Sequence, residues 1–265
     1  MILLFDIGNT HTHLALANEK RILRRLDVPT ESWFDGRGDF LLERFVRGVA
    51  VSGAAMCSVV PRATTRVKQV LKSRWHTDVL EVSARNLPGV RVDYPRPSTI
   101  GADRLANAVA ARHRYGVPVV ALDFGTALTI DVVNSRACFI GGVIAPGLAS
   151  MTNYLHQRTA LLPQLTLRPT SRPIGRSTVE AMRIGVVRGY RGLVRELLQG
   201  VLNEPGFARA CVVATGGYAR LIASGLPEIQ IVDPTLTLEG VRLVWEWKSP
   251  NRSSGRAGKG EKTVV

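Results

Sequence analysis

Two short segments, Asp6-Ile7-Gly8-Asn9-Thr10 and Asp123-Phe124-Gly125-Thr126-Ala127, constrain the fold of this chain more than any other feature. Each closes an apolar run with an aspartate, turns through a glycine, and leads into a second apolar run at residues 14–17 or 128–133. The pattern reads as strand, tight turn, strand, at the start of two similar halves. Glycine in such a turn lets the backbone come close to an anion. The N–H groups that follow it, with the hydroxyl of Thr10 or Thr126, can donate to phosphate oxygens. An acid at the strand end can orient a metal ion or its waters. One such turn is explained by a plain hairpin; two, facing each other, can grip a polyphosphate from both sides.

The rest of the chain supports two α/β halves. Strands are expected at residues 2–6, 14–17, 21–28, 49–58 and 79–82, with helices at 40–46 and 61–74. Residues 86–98 read as a loop rich in proline and charge, containing Tyr94. Gly101 opens an Ala-rich helix to about residue 114, with Gly116 and Pro118 beyond its end. The second half repeats the order: strands at 119–123, 128–133 and 139–144, then a helix, a loop and a long helix, strands at 210–214 and 230–232, and a last helix to about 247. Ser177 and Glu180 form a capping box at the start of the long helix. Its apolar face is expected to comprise Val179, Met182, Val186, Tyr190, Leu193 and Leu197. The division follows as 1–115 for a first lobe, 116–248 for a second, and 249–265 for a disordered basic tail rich in Ser, Gly, Lys and Arg.

This duplicated layout resembles the actin-like superfamily of sugar kinases, acetate kinase and heat-shock chaperone ATPases. The resemblance implies an α/β fold of two actin-like (ribonuclease H-like) lobes, with mixed sheets flanked by helices and nucleotide in the interlobe cleft. Ala214-Thr215-Gly216-Gly217 fits a third element of that superfamily, a glycine pair packed against adenosine.

A further motif, Thr99-Ile100-Gly101-Ala102-Asp103-Arg104, places an acid in the first turn of a helix. The helix dipole and the neighbouring Arg104 favour its ionised form. A carboxylate so placed can accept the proton of an attacking hydroxyl in phosphoryl transfer. Here the chain resembles the type III pantothenate kinases up to about Trp247. The matching segments include Ser58-Val59-Val60-Pro61, Asp123 to Asp131, Gly141 to Gly147, Thr159 to Pro163, Ile174 to Thr178 and Leu236 to Gly240, in order.

The resemblance implies ATP-dependent phosphorylation of pantothenate, the first step toward coenzyme A, with ATP and Mg²⁺. It implies that Asp6, Ile7, Gly8, Asn9, Thr10, His11, Thr12 and His13 form the first ATP-binding hairpin, and that Thr126 contacts ATP. Asp103 is expected as general base. Tyr94, Gly101, Ala102, Asp103, Arg104 and Thr178 are expected to line the pantothenate site, with Arg104 suited to the substrate carboxylate. Asp123 is expected to bind a monovalent cation, K⁺ or NH₄⁺. The family is dimeric, so a homodimer is implied, with the apolar face of the long helix as its interface. His11 and His13 lack a third ligand and read as structural or solvent-facing.

Bulk properties narrow the alternatives. The net charge of +14 comes from 29 Arg and six Lys against 21 acids, spread without a dense basic block. A solvated surface accounts for such a spread, and nucleic acid is not expected as a partner. No apolar run reaches the roughly 20 residues of a membrane helix, and residues 1–6 lack the basic start of a secretory signal. Cys57, Cys138 and Cys211 show neither metal spacing nor a disulfide framework, so free thiols in a cytoplasmic protein are expected. Two other readings are an actin-like regulator that binds nucleotide or DNA and a sugar kinase of the same superfamily. The intact acids Asp6, Asp103 and Asp123 speak against the first; the short motif around Asp103 and the small chain speak against the second.

Overall fold

A computed structural model describes residues 1–248; the expected tail at 249–265 lies outside them. Two mixed sheets are built on one strand order. In the first sheet β1 (Ile2–Ile7) pairs antiparallel with β2 (His11–Ala17) and parallel with β4 (Gly53–Ser58). Strands β3 (Ile22–Pro29) and β5 (Val79–Glu81) lie at its edges. In the second sheet β7 (Val119–Phe124) pairs with β8 (Ala127–Val133) and β10 (Cys211–Thr215) in the same way, with β9 (Cys138–Pro146) and β11 (Ile231–Val232) outside them. The order 3-2-1-4-5 thus recurs as 9-8-7-10-11, as the duplicated sequence layout implies.

Strands β1 and β7 are buried on both faces, which is why they read as unbroken apolar runs rather than as alternation. Their odd and even positions enter different cores. Leu3, Phe5 and Ile7 pack outward against α1 (Arg37–Val46) and α2 (Pro61–Trp75). Val120, Leu122 and Phe124 pack outward with α5 (Thr178–Leu202) and α6 (Ala219–Ala223). Ile2 and Leu4 of the first sheet, and Val119 and Ala121 of the second, face a shared central layer made by α3 (Ala102–Tyr115) and α7 (Leu236–Lys248). The molecule is therefore layered as helices, sheet, central helix pair, sheet, helices. Each fully buried Leu, Ile or Phe of these cores contributes roughly 1.5–3 kcal/mol.

The central layer crosses the sequence halves. Helix α7, last in the chain, packs on β1 and β4, while α3 packs on β7 and β8 as well as β4. Residues 91–92, expected in a loop, form a short strand β6 (Arg91–Val92) parallel to β9 of the second sheet. A division at 115/116 is thus bridged by one element from each side. The expected strand at 49–58 begins only at Gly53, residues 49–52 being irregular. Residues 148–158, between β9 and the long loop before α5, form α4 (Leu148–Arg158).

The capping box forms with one change. Ser177 Oγ accepts from Glu180 N at 3.2 Å, but Glu180 Oε2 accepts from the backbone N of Arg176, one residue earlier than expected. Along α5 the buried side is Met182, Val186, Val187, Tyr190, Val194 and Leu198. Val179 is exposed, and Leu193 and Leu197 lie at the margin of the second-sheet core. The face expected to form a dimer interface is therefore rotated and largely consumed inside the chain, because the second sheet needs an outer cover. Among the described residues no helix is long and apolar enough to cross a membrane, and all three cysteines are free thiols.

Candidate active site

Strand alternation places the key acids. Asp6 continues the Ile2, Leu4 side of β1, and Asp123 the Val119, Ala121 side of β7, so both carboxylates face the central helix layer. There they meet the first turn of α3, which carries Asp103. The three carboxylates come from three elements and lie close enough to act on one another.

Their environments shift them upward. Burial pushes Asp6 up to about 7; His13, its register partner on β2, opposes this, while Asp123 and Asp103 add to it. Cys57, the register partner on β4, donates its thiol to Asp6 Oδ1 at 3.4 Å. Burial likewise pushes Asp123 up to about 6, against a hydrogen bond from Asn107 Nδ2 at 3.2 Å. Asp103 is raised by burial as well, although Arg104 N donates to its Oδ1 at 2.8 Å. The result is a pocket of half-buried carboxylates that is short of positive charge, and a cation arriving there restores their ionised forms.

The two hairpins meet at their tips, where Thr10 Oγ1 and Thr126 Oγ1 lie 2.9 Å apart. The Gly8 amide closes its own turn on His11 O at 3.0 Å, and the Gly125 amide closes on Ala127 O at 3.1 Å. Donors for an anion must therefore come from the residues after each glycine. The first hairpin is braced from behind. Trp33 Nε1 donates to Thr12 Oγ1 at 3.1 Å, Thr12 and Thr30 hydroxyls lie 3.0 Å apart, and Thr30 Oγ1 donates to Gly8 O at 2.6 Å. Since the proton of Thr30 goes to Gly8, that of Thr12 goes to Thr30.

The expected site residues divide accordingly. Gly8, Asn9, Thr10 and His11 form the accessible turn, with Asn9, Thr10 and His11 exposed. The side chains of Ile7 and Thr12 are committed to the first-sheet core, leaving only their backbones for a ligand. His13 pairs with Asp27 at 2.8 Å and stacks on His11. Gly101 lies directly against the Asp103 carboxylate, and Ala102 opens α3. Arg104 is buried and bound through Nε to Asp131 Oδ1 at 2.6 Å, so it is not the free bidentate fork the sequence suggested. Tyr94 stands edge-on to Phe139, above which the Arg104 guanidinium lies at 5.5 Å. Thr178 is exposed at the start of α5 and joins none of these contacts.

Beyond β10 the chain turns through Gly216, with φ of +90°, and its Cα backs onto Asp123 and Phe124. Gly217 beside it faces open space. Sequence reasoning missed Asn107 and Asp131. Asn107 was legible as the i+4 neighbour of Asp103 on one helix face. It also accepts from Thr237 Oγ1 at 2.8 Å, tying Asp123 to α7. Asp131 carried only its place as an acid inside an apolar strand.

As a donor set, carboxylate oxygens beside hydroxyls suit hard cations such as Mg²⁺. Among the described residues no group of three or more ligating side chains stands ready to cage an ion.

Sequence comparison with known proteins points to one family. The type III pantothenate kinase family model matches residues 2–200. The type III pantothenate kinase of Akkermansia muciniphila is 48% identical over 242 residues, 91% of this chain and 96% of that protein. That of Methylacidiphilum infernorum is 40% identical over 247 residues, covering 92% and 88%. Among solved structures, a proposed 2-dehydro-3-deoxygalactonokinase of Sinorhizobium meliloti superposes with a TM-score of 0.59 at 12% identity, covering 94% of this chain and 100% of that one. This last likeness bears on the fold alone, an α/β architecture of two mixed sheets flanked by helices.

Proposed function

The chain belongs to the type III pantothenate kinase family, and from that premise we propose that it transfers the γ-phosphoryl group of ATP to the terminal hydroxyl of pantothenate, the first step toward coenzyme A. The observation that carries this reading is the convergence of Asp6, Asp103 and Asp123, from three elements, behind two hairpins whose threonine hydroxyls lie 2.9 Å apart.

In this reading the phosphates lie between the hairpin tips, held by Thr10, Thr126 and the backbone donors that follow Gly8 and Gly125. The adenosine rests on the open side of Gly217. Asp103 accepts the proton of the attacking hydroxyl. Its raised pKa makes it a better base than an ordinary carboxylate, and Arg104 N keeps one oxygen oriented while the other is left for substrate. Mg²⁺ near Asp6 and a monovalent cation near Asp123 would neutralise phosphate charge. Catalysis is otherwise a matter of positioning. Tyr94, Arg104 and Thr178 bind pantothenate. Because Thr178 joins none of the contacts around Asp103, a second copy of the chain is the natural means of completing the site. Exposed Ile144, Tyr154, Leu161 and Ile174 offer apolar surface for that homodimer. Three free thiols suit the cytoplasm.

The test is a coupled ADP-release assay with pantothenate, ATP and Mg²⁺, with and without K⁺. Asp103→Asn keeps the acceptor oxygen for Arg104 N but removes the base, and is expected to lower kcat by about 10²–10⁴ with ATP binding intact. Wild-type turnover in the Asn variant would remove Asp103 from the role of base, and absence of pantothenate-dependent ADP release would remove the whole reading.

A further inference from the structure

Beside Arg104 lies a buried acid that the mechanism above does not use. Asp131, on β8, is 1% exposed and faces the central layer. Its Oδ1 takes the Nε of Arg104 at 2.6 Å, and its Oδ2 accepts from Thr129 Oγ1 at 3.4 Å. It therefore engages one nitrogen of the guanidinium and leaves the others. Arg104 is itself 8% exposed, and its Nη2 is buried without any hydrogen-bond partner. A buried charged donor left unmatched is costly unless an acceptor arrives. Below the guanidinium lies the ring of Phe139, at 5.5 Å, and Tyr94 packs edge-on to that ring at 6.4 Å. Gly142, the partner of Asp131 across β9, packs tightly beside this group: a Cβ there would run into the Ile130 carbonyl and come within 3.1 Å of Nη2, so only glycine fits against the guanidinium.

Building on the kinase reading above, we propose that Asp131, with the Phe139 ring beneath, is a positioning residue: it fixes the Nε edge of Arg104 so that the unmatched Nη2 is held for the carboxylate of the substrate. Asp131 touches neither substrate nor reacting atoms. It sets the plane and rotation of the guanidinium, and a guanidinium recognises a carboxylate only in a matched orientation. Without Asp131 the same charge remains on Arg104, but its direction is no longer defined. The proposal also gives Tyr94 a structural link to the same group, since Tyr94, Phe139, Arg104 and Asp131 form one continuous chain of contacts.

Carboxylate selectivity is the discriminating readout. Pantothenyl alcohol carries a hydroxymethyl group in place of the carboxylate and keeps the hydroxyl that is phosphorylated. For the full-length wild type, kcat/KM is measured with pantothenate and with pantothenyl alcohol, and the ratio is compared with Asp131→Asn and Phe139→Leu. Asp131→Asn is expected to raise the pantothenate KM by about ten-fold, the equivalent of one charge-assisted hydrogen bond. The KM for ATP should be unchanged, and the preference for pantothenate should narrow by the same factor. Phe139→Leu, which changes no charge, should narrow it in the same direction by less. An unchanged ratio in both variants overturns the proposal. So does a lower pantothenate KM in Asp131→Asn, which would mean that Asp131 competes with the substrate for Arg104 instead of orienting it. Should Asp131→Asn fail to fold, as melting would show, Phe139→Leu alone decides. Failure of the underlying reading looks different: wild type then turns over neither compound.

Discussion

Gly216 and Gly217 are adjacent and look interchangeable in sequence, yet the structure assigns them opposite consequences on substitution. Gly216 has φ of +90°, and a Cβ there would lie 2.5 Å from Asp123 Oδ1 and 2.7 Å from the backbone N and C of Phe124. The left-handed backbone alone costs an alanine about 1–2 kcal/mol. The overlap adds about 1–3 kcal/mol, because Phe124 belongs to the strand ladder of β7 and cannot retreat. A total of about 2–5 kcal/mol corresponds to a fall in melting temperature of about 5–15 °C for a chain of this size. Gly217 has nothing within 4 Å of the corresponding Cβ position, so Gly217→Ala should change stability by less than about 0.5 kcal/mol. If adenosine rests on that open side, the added methyl instead raises the ATP KM by roughly ten-fold or more. Thermal unfolding by circular dichroism, with ATP titrations on the same preparations, tests both halves. A Gly216→Ala protein that melts with wild type refutes the packing argument. A Gly217→Ala protein with normal ATP kinetics refutes the placement of adenosine.

Other outcomes follow from the same geometry. Asp6 sits up to about 7 and Asp123 up to about 6, above the ordinary 3.8 of the unfolded chain. The folded state therefore binds more protons than the unfolded state between about pH 4 and pH 7, and their contribution to stability is lost as pH rises through that window. Asp6→Asn should accordingly raise the melting temperature of the unliganded protein at pH 7.5 more than at pH 5, while lowering activity; a variant destabilised at both pH values by differential scanning fluorimetry contradicts the sign. Helix α7 meets α3 at Gly240, whose Cα rests on the Ala106 backbone. Gly240→Ala must part these helices and should cost about 1–3 kcal/mol, seen as a shifted urea midpoint. An unshifted midpoint would mean that the central layer is not close-packed there.

Much of the molecule was legible in one dimension because its signals are local. Turn glycines, β-runs ending in Asp6 and Asp123, and the Ser177 cap each depend on residues a few positions apart, and each formed. From strand alternation alone Asp6 and Asp123 had to share a side with Ile2, Leu4, Val119 and Ala121. What faces that side was not legible. Helix α7 covers the first sheet although it is last in the chain, and Thr237 reaches Asn107 across 130 residues. No local pattern encodes such pairings, since they arise only when two sheets close over a common helix layer. The same closure turned Arg104 from a free fork into one half of a buried pair with Asp131, 27 residues away. The sequence thus determined which chemical groups the site would contain and on which turns they would sit. The tertiary structure decided which of them meet, because burial between the two sheets raises Asp6, Asp103 and Asp123 and makes an unmatched Nη2 matter.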